Sequence, residues 1–276
     1  MKNLFEIASG TTAGKDHRFS GKNNQDAVYS RITDDFIVGV VCDGCGSSKH
    51  SEVGAKIGCR LILQAVADQL HRSGQLQLKR VQNDILAELY VIAKSMGDSL
   101  SEVVTDYFLF TTVGVVISDS VASFFSLGDG IIIVNGEITQ IGPFPNNEPP
   151  YLAYGIVHSS LQDTSPELLQ FQINRHIPIG ELNSFLIGSD GAVDINRVSN
   201  RTLPGKTELV GLISQFWESD RFFNNPDNVN RRFRLINEDH MRPNWETRRV
   251  FTESGLLSDD TTILVGRRKR QEKGEV

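Results

Sequence analysis

The chain has 276 residues, of which 39% are hydrophobic and 22% charged, a composition typical of a globular protein. With 28 basic against 34 acidic residues the net charge is -6, which argues against a broad nucleic-acid-binding surface. No apolar run reaches the roughly 18 residues that cross a bilayer. Three cysteines, an odd count, make no disulfide framework. The start, MKNLFEIASG, places Glu6 inside its apolar patch and does not read as a secretory leader, so a reducing cytoplasm is the expected location.

In chain order, DAVYSRI and DFIVGVVC read as neighbouring strands joined at TDD. The segment SEVGAKIGCRLILQAVADQL carries apolar residues at helical spacing, with Ser51 placed to cap its start, and a second helical pattern runs from about Leu76 to Met96. The period then shortens. TTVGVVIS, VASFFSLGDG, IIIVNG and EITQIG read as short strands of an antiparallel meander, punctuated by Asp129-Gly130 and Asn135-Gly136. PFPNNEPPYLAYG reads as an irregular surface excursion, while FQINRHI and NSFLIGSDG return as strands. TELVGLISQFWES reads as a helix, the polar stretch after it has no clear pattern, and DDTTILVGR is the last strand. No repeat or linker divides the chain, so one domain is expected, with early strands paired against late ones.

Three of these strands end alike. FIVGVVCDG, SFFSLGDG and SFLIGSDG each run from an apolar stretch into Asp-Gly, at Asp43, Asp129 and Asp190. The strand TTILVG has Asp259 and Asp260 at its entrance, and AVYSRI is entered from NNQDA, which supplies Asp26. In a packed antiparallel sandwich, strand exits lie beside neighbouring entrances, so these carboxylates can converge at one edge. Grouped carboxylates repel unless they share protons or cations. Oxygen-only ligands suit Mg²⁺ or Mn²⁺. Taken singly, each aspartate has a plainer explanation; Asp129-Gly130 in particular fits a hairpin turn.

The ordered set NNQDA, VVCDGCGSS with SEVGA, SLGDG, LIGSDGAVD and SDDTTILV resembles the type 2C metal-dependent protein phosphatases over about residues 9 to 268. DGCGSS is similar to a divergent bacterial branch of that family. The resemblance implies an α+β fold, a four-layer αββα sandwich with two central antiparallel sheets flanked by helices. It implies a single catalytic domain over 1–268, a flap at about 142–171 and a short charged tail at 269–276. Carried over by motif, Asp43 would bridge two ions and the Gly44 carbonyl would bind one of them. Asp190 and Asp259 would hold the other, with Asp259 preferred to Asp260 by its place in the motif. Asp26 would bind metal-bound waters, and Asp129 with Asp190 would form a weaker third site. The implied activity is hydrolysis of phosphoserine or phosphothreonine on a protein substrate, by a water bridging two Mg²⁺ or Mn²⁺ ions, with no nucleic acid or membrane as partner.

The chain departs from the family pattern in three places. Gly21 stands where the family carries a phosphate-gripping arginine, five residues before Asp26, leaving Lys22 as the nearest replacement and Arg18 behind it. Gln25 replaces a glutamate, and Cys45 stands where eukaryotic members have a histidine, with His50 the nearest in sequence. Cys42 and Cys45 form a C-x-x-C, but Cys59 alone cannot complete a zinc site, so a buried strand residue and a bend residue are expected. SGTTAGKD fails the phosphate-loop spacing. Two other readings stay open: a phosphatase-fold binding protein with weak or no activity, and a hydrolase of a small phosphorylated metabolite.

Overall fold

A computed structural model describes residues 1–157 and 169–270; residues 158–168 of the expected flap and 271–276 of the expected tail lie outside the described residues. Strand β3 (Ile37–Gly44) is buried along nearly its whole length because both its faces are covered. Its odd-numbered residues Ile37 and Val41 pack between two sheets, while Val38, Val40 and Cys42 pack beneath helices. One sheet orders β2 (Asp26–Ile32), β3, β4 (Phe110–Ile117), β5 (Val121–Leu127) and β8 (Gln172–Pro178). The other orders β1 (Phe5–Thr12), β12 (Thr261–Arg268), β9 (Ser184–Gly188), β6 (Gly130–Val134) and β7 (Glu137–Ile141). Every pairing in both is antiparallel. First strand pairs with last, Phe5 opposite Arg268 through Thr12 opposite Thr261.

Helices α2 (Ser51–Ser73) and α3 (Leu78–Met96) cover the first sheet through Ile62, Val66, Ile85 and Leu89. Two shorter helices precede and follow them, α1 (Lys15–Ser20) and α4 (Leu100–Tyr107). The other sheet is covered by short helical turns and by α5 (Asn228–Asn237), whose Val229, Phe233 and Ile236 join Leu186, Ile263 and Val265. Phe124, Phe185, Ile132 and Leu264 fill the space between the sheets. The fold is an α+β sandwich of four layers.

Three expectations are corrected. The strands from 111 to 141 do not form one meander: β4 and β5 belong to one sheet, β6 and β7 to the other. Gly128 (φ 88°) and Gly130 (φ 145°) adopt backbone angles that side chains disfavour, and they carry the chain from sheet to sheet. Ser51 does not cap α2; His50 holds that position, and Ser51 donates its hydroxyl to the Cys45 carbonyl at 2.9 Å. Of TELVGLISQFWES only Gln215–Glu218 is helical, because buried Arg232 takes the carbonyls of Leu209 and Val210 at 2.9 and 2.8 Å and holds that segment in a loop. The polar stretch without a pattern contains α5 and an exposed ribbon of β10 (His240–Asn244) with β11 (Arg249–Glu253).

Candidate metal centre

The alternation along β3 sends Asp43 the same way as Ile37 and Val41, into the space between the sheets, but at the end where that space opens. Asp26 opens β2 and lies directly opposite Asp43 in the register. The crossover from β5 to β6 delivers Asp129, and the turn after β9 delivers Asp190, which enters a 3₁₀ helix rather than a hairpin. Neither Asp-Gly pair is a hairpin turn. Asp259 arrives on the loop that feeds β12. A cleft of about 320 Å³ results, and Asp43, Gly44, Asp129, Asp190 and Asp259 all line it.

These carboxylates disturb one another. Burial, then repulsion from Asp26, Asp190, Asp259 and Asp129, pushes Asp43 well above the usual carboxylate range. Burial and Asp190 push Asp129 up to about 6. Burial, with repulsion from Asp190, raises Asp259, although the Asp260 amide and His17 act against the shift. Among the described residues, no lysine or arginine lines this cleft. Asp190 Oδ1 and Asp26 Oδ1 are buried without a hydrogen-bond partner, which is costly for a carboxylate oxygen. A hard cation would satisfy such oxygens and remove the repulsion, so the donor set fits Mg²⁺ or Mn²⁺.

Adjacent residues at this edge do different work. Asp260 is 2% exposed and accepts the amides of Gly14 at 2.7 Å and Gln25 at 2.5 Å, so it pins the turns before α1 and β2. Gly14 has to be glycine at that contact: a Cβ would sit 2.4 Å from the backbone of Ser258 and Asp259. Asp259 remains 57% exposed and faces the cleft. Asp26 lies behind Asp43 rather than along the cleft. Its Oδ2 accepts the Ser189 hydroxyl at 2.7 Å, which ties the two sheets together, and burial with repulsion from Asp260 raises its pKa to about 8.

The departures from the family pattern have structural roles. Gln25 donates to Ser51 Oγ at 2.7 Å, and Ser51 in turn holds the Cys45 carbonyl, which links β2 to the glycine-rich bend and to α2. Lys22 does not line the cleft itself but donates at 2.6 Å to the carbonyl of Gly46, which does. Arg18 points away, 3.4 Å from Asp239. Cys45 lines the cleft; burial opposes ionisation of its thiol, but hydrogen bonding to Ser47, Tyr151 and Ser48 outweighs this and lowers its pKa. His50 stacks on Tyr107 with ring centroids 5.0 Å apart.

One residue of the cleft has no counterpart in the sequence reading. His17, on α1, lines the cleft, and among the described residues it forms with Asp259 and Asp260 a group whose potential ligand atoms lie within 4.8 Å of one another. No spacing rule connects position 17 to position 259; the close approach of Gly14 to Ser258 and Asp259, with the Lys15 and Asp16 amides donating to the Leu257 and Ser258 carbonyls, brings them together.

The chain matches the sequence profile of protein phosphatase 2C over residues 13–225. No curated protein matches it. Among solved structures it is similar to a bacterial serine phosphatase bearing a point mutation, at 12% identity and a TM-score of 0.53, covering 96% of this chain and 99% of that one. It is also similar to the catalytic domain of the serine threonine protein phosphatase PstP in complex with two manganese ions, at 16% identity and a TM-score of 0.50, covering 97% and 99%. The Mycobacterium tuberculosis serine/threonine phosphatase PstP/Ppp matches at 15% identity and a TM-score of 0.50, covering 97% and 100%. At these identities the structural likeness establishes the fold, and the profile match over most of the length establishes the family. The chain belongs to the protein phosphatase 2C family.

Proposed function

We propose that the protein is a metal-dependent phosphatase acting on phosphoserine or phosphothreonine in proteins. The observation that carries this reading is the convergence of Asp43, Asp129, Asp190 and Asp259 on one cleft, with no lysine or arginine among the described residues lining it. Asp43 would bridge two ions with the Gly44 carbonyl beside it, Asp190 and Asp259 would hold the second, and Asp129 with Asp190 would face a weaker third. A similar PstP catalytic domain holding two manganese ions supports this count. Divalent ions there would supply a hydroxide nucleophile near neutral pH and screen the charge of the phosphoryl oxygens. The chain's own contribution is positional. Ser189 locks Asp26 behind Asp43, and Asp260 fixes the loop that presents Asp259. Lys22 steadies the glycine-rich bend through Gly46 and would take the place of the family's phosphate-binding arginine.

The lack of a lysine or arginine among the described cleft-lining residues also favours a second reading, a phosphatase-fold binding protein that holds metal and a partner without hydrolysis. Metal-stripped protein assayed with each ion added back, on p-nitrophenyl phosphate, a phosphothreonine peptide and small phosphorylated metabolites, separates these readings. Hydrolysis of the peptide that depends on Mn²⁺ or Mg²⁺ supports the proposal. Metal binding without turnover of any substrate supports the binding protein, and turnover of a metabolite alone reassigns the substrate.

A further inference from the structure

We propose that His17 is itself a metal ligand through Nε2, on the ion that Asp259 would hold, and that this nitrogen biases the centre toward manganese or another transition ion over magnesium. The inference rests on the metal-centre reading above. His17 is mostly buried, with 16% of its side chain exposed, yet it lines the acidic cleft. Its Nε2 lies 3.8 Å from Asp259 Oδ1. Two donors each about 2.1 Å from one octahedral ion are about 3.0 Å apart when adjacent and about 4.2 Å apart when opposed. The observed separation lies between these two positions, about 0.4 Å short of the opposed one, so a small movement of the exposed Asp259 side chain would let one ion take both.

The far side of the ring supports the same role. Nδ1 lies 2.9 Å from Asp260 Oδ2, close enough for a charge contact though it makes no hydrogen bond there. A carboxylate behind the outer nitrogen orients a ligating histidine and strengthens its donor atom. Asp260 is poorly placed to ligate an ion itself, because the Gly14 and Gln25 amides already occupy its two oxygens. A purely structural ion pair would need only Asp260 and gives no reason for the other nitrogen to face a cleft of carboxylates. Both Mg²⁺ and Mn²⁺ take oxygen ligands, but manganese, a first-row transition ion, accepts an imidazole nitrogen among them more readily than magnesium does.

Pulsed electron paramagnetic resonance on the full chain loaded with Mn²⁺ reads this directly. The expected result is a nitrogen coupling to manganese in the wild type that His17→Gln abolishes. In the same variant, Mn²⁺ affinity by calorimetry should weaken at least about tenfold, while Mg²⁺ affinity changes less than about threefold. The wild-type spectrum stands whether or not the variant folds. Bound Mn²⁺ without nitrogen coupling, or coupling that survives in folded His17→Gln, overturns the assignment of His17 and leaves the carboxylate centre standing. Failure of the wild type to bind Mn²⁺ overturns both.

Discussion

Asp43 is held among four other carboxylates, and its surroundings resist its charge. Replacing it with asparagine keeps the volume and removes the charge, so two effects of opposite sign are expected. Metal-dependent hydrolysis should fall at least about a thousandfold, because the bridging ligand is gone. The metal-free protein should become more stable by about 1 kcal/mol, because repulsion is relieved, the usual pattern when a strained functional site is neutralised. Paired denaturant melts and Mn²⁺-dependent assays check this; a variant that stays active, or one that melts lower without metal, counts against the electrostatic account. Lys22 should behave differently. Its exposed bond to Gly46 contributes little to stability, so Lys22→Ala should leave the melt nearly unchanged while raising KM for a phosphopeptide more than it lowers kcat. An unchanged KM would return it to a bend-fixing role.

At the level of elements, the cleft depends on turns that approach one another closely, and these were the least legible in the sequence. The apolar run 36–42 was readable as a buried strand, but with both its faces covered it carries no alternation, so the side on which Asp43 emerges is set by the fold. The Asp-Gly repeats likewise marked strand ends that the sandwich gathers at one edge. Asp129 was ambiguous because a hairpin and a crossover between sheets begin with the same dipeptide; only the pairing of β5 with β4 and β8, and of β6 with β7 and β9, distinguishes them. His17 was invisible because its placement comes from a contact between residues far apart in the chain. The helix expected in 207–219 failed for a similar reason, since buried Arg232 claims backbone carbonyls that a helix would have used. The contact at Gly14 gives a test. A Cβ there would meet backbone atoms of Ser258 and Asp259 at 2.4 Å, and backbone cannot yield as a side chain can. Gly14→Ala should therefore destabilise the protein by about 2 kcal/mol and displace the loop bearing Asp259, weakening Mn²⁺ binding as well. Wild-type stability and metal affinity in that variant would show that the loop has room to move.

For the whole molecule, the acid cluster links stability to pH with a sign that can be worked out. Asp26 rises to about 8 in the fold, from an ordinary value of 3.8, through burial and the nearby Asp260 carboxylate. Asp129 rises to about 6, through burial and Asp190. Between the ordinary and the raised values the folded, metal-free protein binds more protons than the unfolded chain does. Stability contributed by these groups is therefore fully present below the ordinary carboxylate value and is lost as pH climbs through the raised ones. Each such group tilts stability by up to about 1.4 kcal/mol per pH unit while the unfolded form is ionised and the folded form is not. Asp129 acts mainly over the acidic part of this window, and Asp26 extends it to about pH 8. Chelator-treated protein should thus melt at a clearly lower temperature at pH 8 than at pH 5. Added Mn²⁺ should stabilise it more at pH 8, where the carboxylates no longer have to give up protons to bind the ion. Melting scans at both pH values, with and without Mn²⁺, make the comparison. A metal-free melting temperature that is flat or rises toward pH 8 would mean that the buried carboxylates are already compensated within the protein, and the electrostatic case for a cation in the cleft would fall with it.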